Sequence, residues 1–361
     1  MLGGQLGRMA LQIISVAVLS RLLSPKDYGL LAMVMVIVGF GEVFRDFGLS
    51  SAAIRAPELS RSQRDALFFM NSAIGAGFAA LLAMAAPLVA LWFGQPELVS
   101  MSQALSIVFL LNGLTAQFRA DLNRNLRFRK LVVADLSGLV GGLLIGVILA
   151  ISGFGYWALV AQQIGIGVVT LVVSVAQCGW LPRWPERGTK IGAMLRFGLG
   201  LSASQLVGYF INNVDTLVIA TRLGVVDLGY YNRGYQILAR AVSQVRGPST
   251  AVALPVLSKL TTDQPRMDSY LVKGQAALGY TLIAGLAFAA VAADPIVNVV
   301  LGAGWTPVVP VVAWLAVGAV FDTTAYVGYW VYLVRGLTDR LLWYNVGSLA
   351  IRATCVLVGS Q

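Results

Sequence analysis

Apolar runs of about 20 residues recur along the whole chain with short polar breaks between them, each long enough to cross a hydrocarbon layer about 30 Å thick. The pattern predicts eleven helical spans, at about 5–23, 29–48, 67–93, 99–118, 131–151, 156–178, 197–221, 231–257, 270–292, 307–333 and 341–359. The first run, Leu6 to Leu23, contains Arg8 and Arg21 and lacks a clean cleavage site, so it reads as a membrane helix and not as a signal peptide.

Composition supports this assignment. Of 361 residues 58% are hydrophobic and 12% charged, with a mean hydropathy of +0.78, and no water-soluble core could bury that much apolar surface. The expected fold is therefore an all-α integral membrane protein. The formal net charge of +10 does not signal nucleic acid, because the basic residues lie between spans instead of on one soluble domain. Of the 26 Lys and Arg, 17 fall in loops that follow even-numbered spans, among them Arg119, Arg124, Arg127, Arg129 and Lys130. The odd loops hold only Lys26 and Arg222, which places the N-terminus and the even loops in the cytoplasm.

The loop Gly179 to Gly192, with two prolines, two tryptophans and several charges, is the natural linker. It divides the chain into an N-terminal bundle of six spans (1–178), the cytoplasmic linker (179–192) and a C-terminal bundle of about five spans (193–361). An offset near 200 residues reveals a weak parallel repeat. Arg21-Leu22 followed by Asp27-Tyr28-Gly29 matches Arg222-Leu223 followed by Asp227-Leu228-Gly229, and Arg45 falls opposite Arg246.

The candidate chemistry is ionic. The chain has no histidine, which excludes His-based catalysis and His proton relays; Cys178 and Cys355 read as structural, and no cofactor or metal is expected. No phosphate-loop motif is present, so ATP is not hydrolysed by this chain, and no enzymatic site is evident. Gly-rich stretches such as Gly138 to Gly146 read as helix-packing surfaces, with a transporter hinge as the alternative. In span two, Glu42, Arg45 and Asp46 either mark the end of the helix or line a polar cavity. Asp215 and Asp322 lie within later spans, and Asp322 is about 15 residues from either end of its run, too deep for a short side chain to reach an interface. Arginine's planar fork suits phosphate, so Arg21, Arg45, Arg222, Arg240 and Arg246 fit a cavity for an anionic headgroup. Pairing of these arginines with Asp46, Asp215 and Asp322 is the competing reading.

Four segments carry a resemblance: LSRLLSPKDYGLLAM (Leu19 to Met33), DLNRNLRFRKL (Asp121 to Leu131), GFGYWALVAQQ (Gly153 to Gln163) and NNVDTLVIATRLGVVDLGYYNRGYQI (Asn212 to Ile237). They resemble the Wzx-type oligosaccharide and polysaccharide flippases of the multidrug, oligosaccharidyl-lipid and polysaccharide exporter superfamily. The resemblance implies a two-lobed bundle that moves polyprenyl-diphosphate-linked sugar repeat units across the bacterial inner membrane for surface polysaccharide synthesis, by alternating access. It also implies cavity cations in both lobes, at positions matching Arg21, Arg45 and Arg222. The expected partners are the lipid-linked oligosaccharide, membrane lipids, and polymerase and chain-length machinery. Members of that family usually carry more spans, so the second bundle reads as short by one or more helices. A drug or metabolite antiporter of the same superfamily and a non-transporting scaffold for polysaccharide assembly are the alternatives.

Overall fold

The computed structural model describes residues 2–45, 60–184, 209, 213–261, 263–335 and 337–359. Asp46, Asn212, residues 185–192 of the expected linker and the Gly198 to Gly208 stretch lie outside the described residues, as do the side chains of Glu42 and Arg45. Every regular element among the described residues is helical. A spanning segment must satisfy its own backbone hydrogen bonds, and a helix does so within itself.

The chain divides into two compact units, Met1–Val225 and Val226–Gln361. The first holds α1 (Leu2–Leu22), α2 (Pro25–Arg45), α3 (Arg61–Phe93), α4 (Glu97–Arg124), α5 (Phe128–Ile151) and α6 (Tyr156–Cys178), followed by a helical stretch at 213–222. Starting at the boundary, α7 (Val225–Lys259) leads into α8 (Gln264–Leu278), a π-helical turn (Gly279–Ile283) and α9 (Ala284–Val291). Then come α10 (Ala293–Val300), α11 (Val308–Val334) and α12 (Thr338–Gly359). Among the described residues six helices are long and apolar enough to cross a bilayer: α3, α4, α5, α6, the run Gln264–Val291 and α11. Their apolar side chains face outward as well as inward, as a lipid solvent allows: Leu91, Trp92, Phe288, Val291 and Trp314 are all exposed.

Local sequence sets the helix ends. In Ser24-Pro25-Lys26-Asp27 the Ser24 hydroxyl and amide both donate to Asp27 Oδ2, at 2.6 and 2.9 Å, while the Asp27 amide donates back to Ser24 Oγ at 3.3 Å. This is a reciprocal cap with proline in the first turn, where its missing N–H costs nothing. Ser60 and Gln63 cap α3 in the same reciprocal manner, and Gly94 ends it at φ 64°. Gly29 has a different duty: a Cβ there would lie 1.8 Å from the Val225 carbonyl oxygen, so only glycine lets the two backbones meet.

Within the first unit, α5 and α6 pack through a glycine ladder. A Cβ at Gly138 would meet Thr170 at 2.1 Å, and at Gly142 it would meet Ile166 at 2.3 Å. Gly146 continues the same face against Gln162. Close backbone approach is what holds helices together where lipid removes the hydrophobic drive, and it bears out the packing reading of this stretch. Gly75 and Gly113 do the same between α3 and α4. Near the α3, α4 and α6 ends, Phe68, Phe118, Leu122 and Cys178 form a core capped by Trp180, and Trp184 stacks on Phe69 at 4.9 Å.

In the second unit regularity is interrupted. Pro248 and Pro255 lie inside α7, each removing an intrahelical donor. The run expected as one span at 270–292 contains the π-helical turn at Gly279–Ile283, and α10 is a short helix that apolar periodicity alone did not separate.

Candidate functional site

Arg246 lies on α7, facing α11 within the second unit. One of its Nη atoms donates to Thr323 Oγ1 at 3.0 Å, and the guanidinium carbon lies 4.6 Å from the centre of the Tyr326 ring. Thr323 is fully buried and donates its own hydroxyl proton to the Ala319 carbonyl at 2.8 Å, which leaves its lone pairs for the arginine. Thr250, one turn beyond Arg246, bonds the Tyr326 hydroxyl at 2.9 Å and accepts from Trp330 Nε1 at 2.9 Å. Gln275 on α8 donates to the Thr323 carbonyl at 3.2 Å.

The helical periods explain the match. Residues 246 and 250 are one turn apart, and 323, 326 and 330 recur at three- and four-residue intervals, so each set lines one face. The result is an arginine oriented by a hydroxyl and an aromatic face. Among the described residues it bonds no carboxylate, so its charge is solvated by dipoles and a π-cloud without being neutralised.

The other expected site residues are distributed over both units. Arg21 is exposed in the last turn of α1, Arg222 is exposed at the end of the 213–222 helix, and Asp215 is buried on that helix. Arg240 is half-buried on α7, about 9 Å along the axis from Arg246 at 1.5 Å per residue. Asp322 is on the exposed face of α11 and makes no ion pair among the described residues. Within the second unit, then, Asp322 sits next to Thr323 in sequence but does not pair with Arg246.

A second ionic group joins Arg119, which the sequence offers as one of a run of loop cations, to Arg8 and Asp135, which the sequence does not connect with it. Asp135 on α5 takes Arg8 of α1 at 2.5 Å and a two-pronged contact from Arg119 of α4, whose Nη2 reaches Oδ2 at 3.4 Å and whose Nη1 bonds Oδ1. Beside it, Arg64 stands 3.6 Å from Asp121 and 4.1 Å over the Trp180 ring. Lys130 donates to the Gln177 carbonyl at 2.7 Å, a cation placed on the negative end of α6. Asp135, a carboxylate inside the predicted fifth span, was the available signal.

At the opposite ends of these helices Lys26 bonds Glu97 at 2.9 Å. That hydrogen bond holds Lys26 above its ordinary value and, with a bond from Glu97's own backbone, holds the Glu97 carboxyl below the usual range.

Comparison with known proteins agrees with this architecture. A family model described as "Polysaccharide biosynthesis protein" matches residues 18–310. The chain is 23% identical over 359 residues to the lipopolysaccharide biosynthesis protein WzxC of Escherichia coli (strain K12), covering 98% of the chain and 72% of that relative. It is 27% identical over 312 residues to the succinoglycan biosynthesis transport protein ExoT of Rhizobium meliloti (strain 1021), covering 86% of the chain and 63% of ExoT. It is 26% identical over 360 residues to the teichuronic acid biosynthesis protein TuaB of Bacillus subtilis (strain 168), covering 97% and 73%. The fold is that of the lipid II flippase MurJ in its inward closed conformation, with a TM-score of 0.72 at 14% identity over 91% of this chain and 74% of that one. With most of its length inside the family match, the chain belongs to the polysaccharide biosynthesis protein family, and it is similar to Wzx-type membrane proteins and to a flippase fold.

Proposed function

We propose that this protein is a flippase for lipid-linked oligosaccharides, moving polyprenyl-diphosphate-linked repeat units across the bacterial inner membrane for surface polysaccharide synthesis. The observation that carries the reading is Arg246, a cation on α7 against the membrane-spanning α11, oriented by Thr323 and Tyr326 and, among the described residues, bonded to no carboxylate. A charge at the bilayer centre costs at least about 2.5 to 3.5 kcal/mol on insertion scales, so a protein that leaves one unneutralised reserves it for an anion. A diphosphate offers the oxygen geometry that the guanidinium fork matches.

In this reading Arg21, Arg45, Arg222 and Arg240 complete the cationic path, while Glu42, Asp46, Asp215 and Asp322 line it or couple it to a proton or cation. The six-span bundle at 1–178 and the bundle at 193–361 alternate access to the two leaflets around a central cavity, joined by the linker at 179–192, with the N-terminus in the cytoplasm. The names of WzxC, ExoT and TuaB support a polysaccharide precursor as cargo, and the likeness to the lipid II flippase MurJ supports a lipid-linked one. Polymerase and chain-length proteins are the expected partners downstream.

The test is complementation of a strain deleted for its own flippase. Surface polysaccharide restored by the wild-type chain and lost with Arg246→Ala at equal membrane abundance is the expected outcome. Full restoration by Arg246→Ala contradicts the assignment of Arg246.

A further inference from the structure

The Arg8, Arg119 and Asp135 group is built differently from a simple ion pair. One carboxylate serves two guanidiniums, and among the described residues neither arginine has another hydrogen-bonding partner. The exposures run the same way: the Asp135 side chain is 13% exposed, while those of Arg8 and Arg119 are 39% and 37% exposed. The carboxylate is thus tucked between the helices while both arginine side chains stay partly open, and Arg8 Nε is buried with no hydrogen-bond partner among the described residues. Two arginines carry ten N–H donors between them, against about four acceptor positions on one carboxylate, and the group keeps a net charge of +1.

Depth narrows the ligand. Arg8 lies six residues from the start of α1, Arg119 five from the end of α4 and Asp135 seven from the start of α5. At 1.5 Å per residue all three sit about 8 to 10 Å inside the helix ends. Helices α4 and α5 run to about 42 and 36 Å on the same rise, longer than the hydrocarbon core of about 30 Å; with the excess shared between both ends, Arg119 starts about 2 Å and Asp135 about 7 Å inside the hydrocarbon edge, and the long arginine stems span that depth to the lipid phosphates. Arg124, Arg127 and Arg129 follow at the α4–α5 turn and add positive potential on the same side.

We infer that Arg8 and Arg119, gathered around Asp135, form a phosphate site at the lipid boundary of the first unit, which takes the phosphate of a lipid headgroup on the open sides of the two forks. The phosphate replaces nothing in the triad; it neutralises the surplus charge and occupies donors that Asp135 cannot fill. Asp135 holds the two forks together and at the same time competes for them. The inference is independent of the transport reading, because binding is measured without turnover.

The experiment uses the full chain in detergent micelles, with native mass spectrometry and equilibrium binding to three probes: phosphatidylglycerol, a polyprenyl diphosphate and inorganic pyrophosphate. Phosphatidylcholine is the zwitterionic control. Arg8→Gln and Arg119→Gln each weaken binding of at least one phosphate probe by about tenfold, and Arg119→Lys weakens it less, because an ammonium keeps charge but not the fork. Asp135→Asn separates binding from architecture: it removes the competing anion, so the folded protein retains or tightens phosphate binding, whereas a merely structural triad loses it. Which probe responds identifies the source as bulk lipid, the proposed cargo or free phosphate. Wild-type binding of every probe by folded Arg8→Gln and Arg119→Gln overturns the site, as does loss of binding in folded Asp135→Asn.

Discussion

Arg119 and Arg246 are both arginines on helices of a membrane protein, yet their surroundings differ. Arg119 reaches a carboxylate that it shares with Arg8, in a unit where glycine ladders bring α5 against α6 and α3 against α4. Arg246 reaches a threonine hydroxyl and a tyrosine face, in a unit where two prolines lie inside α7 and a π-helical turn interrupts the run from α8 to α9. In the first unit the charge is part of the packing, and removing the carboxylate leaves two cations facing each other. In the second, among the described residues, the charge is oriented by neutral groups alone, and removing it leaves those groups behind. Packing stability therefore rests on the shared carboxylate of the first unit, and recognition of the proposed cargo on the guanidinium of the second.

Four changes sharpen or break that contrast. The largest effect falls on the ladder: Gly142→Leu forces a side chain into the space held by Ile166 and the Gln162 carbonyl, and costs about 3 kcal/mol of stability, read as a lost thermal transition in detergent. Asp135→Ala comes next, at about 1 to 2 kcal/mol, discounted from the cost of a fully buried pair because both arginines are more than a third exposed. Melting at high salt, which screens the two guanidiniums, recovers part of that loss. In the second unit Thr323→Val keeps shape but removes the acceptor of Arg246, and lowers transport about tenfold, or ~1.4 kcal/mol, with little change in melting temperature.

The smallest effect belongs to Lys26 and Glu97. Glu97's lowered carboxyl contributes stability above its ordinary range and loses it as pH falls through the folded value. Lys26's raised ammonium contributes below its ordinary range and loses that as pH rises through the folded value. The pair is partly exposed, so Glu97→Gln changes stability by well under about 1 kcal/mol between those limits, and it flattens the acid limb of a melting-temperature profile.

Much of this was legible in the sequence. The apolar period predicts the helices, the spacing of Gly138, Gly142 and Gly146 predicts a packed face, and a cation inside a span singles out Arg246. The arginine's support was not legible. Thr250, Thr323, Tyr326 and Trp330 are neutral residues common in any membrane helix, and only the facing of α7 and α11 gives them a task. The Asp135 group was hidden for another reason. Arg119 lies in a run of cations that loop topology already explains, and Arg8 comes to it from a helix more than 100 residues earlier in the chain. The SPKDYG segment, met first as a family likeness, has a local explanation in the Ser24–Asp27 cap and in the close approach of Gly29 to Val225.

The central claim is that Arg246 carries an uncancelled charge for an anionic lipid cargo. It is tested most directly by the rate at which reconstituted protein translocates a fluorescent polyprenyl-diphosphate-linked oligosaccharide in liposomes. Arg246→Ala is predicted to lower that rate about 100-fold, ~2.7 kcal/mol, at an unchanged melting temperature, with Arg246→Lys between it and the wild type. A wild-type rate for Arg246→Ala contradicts the account.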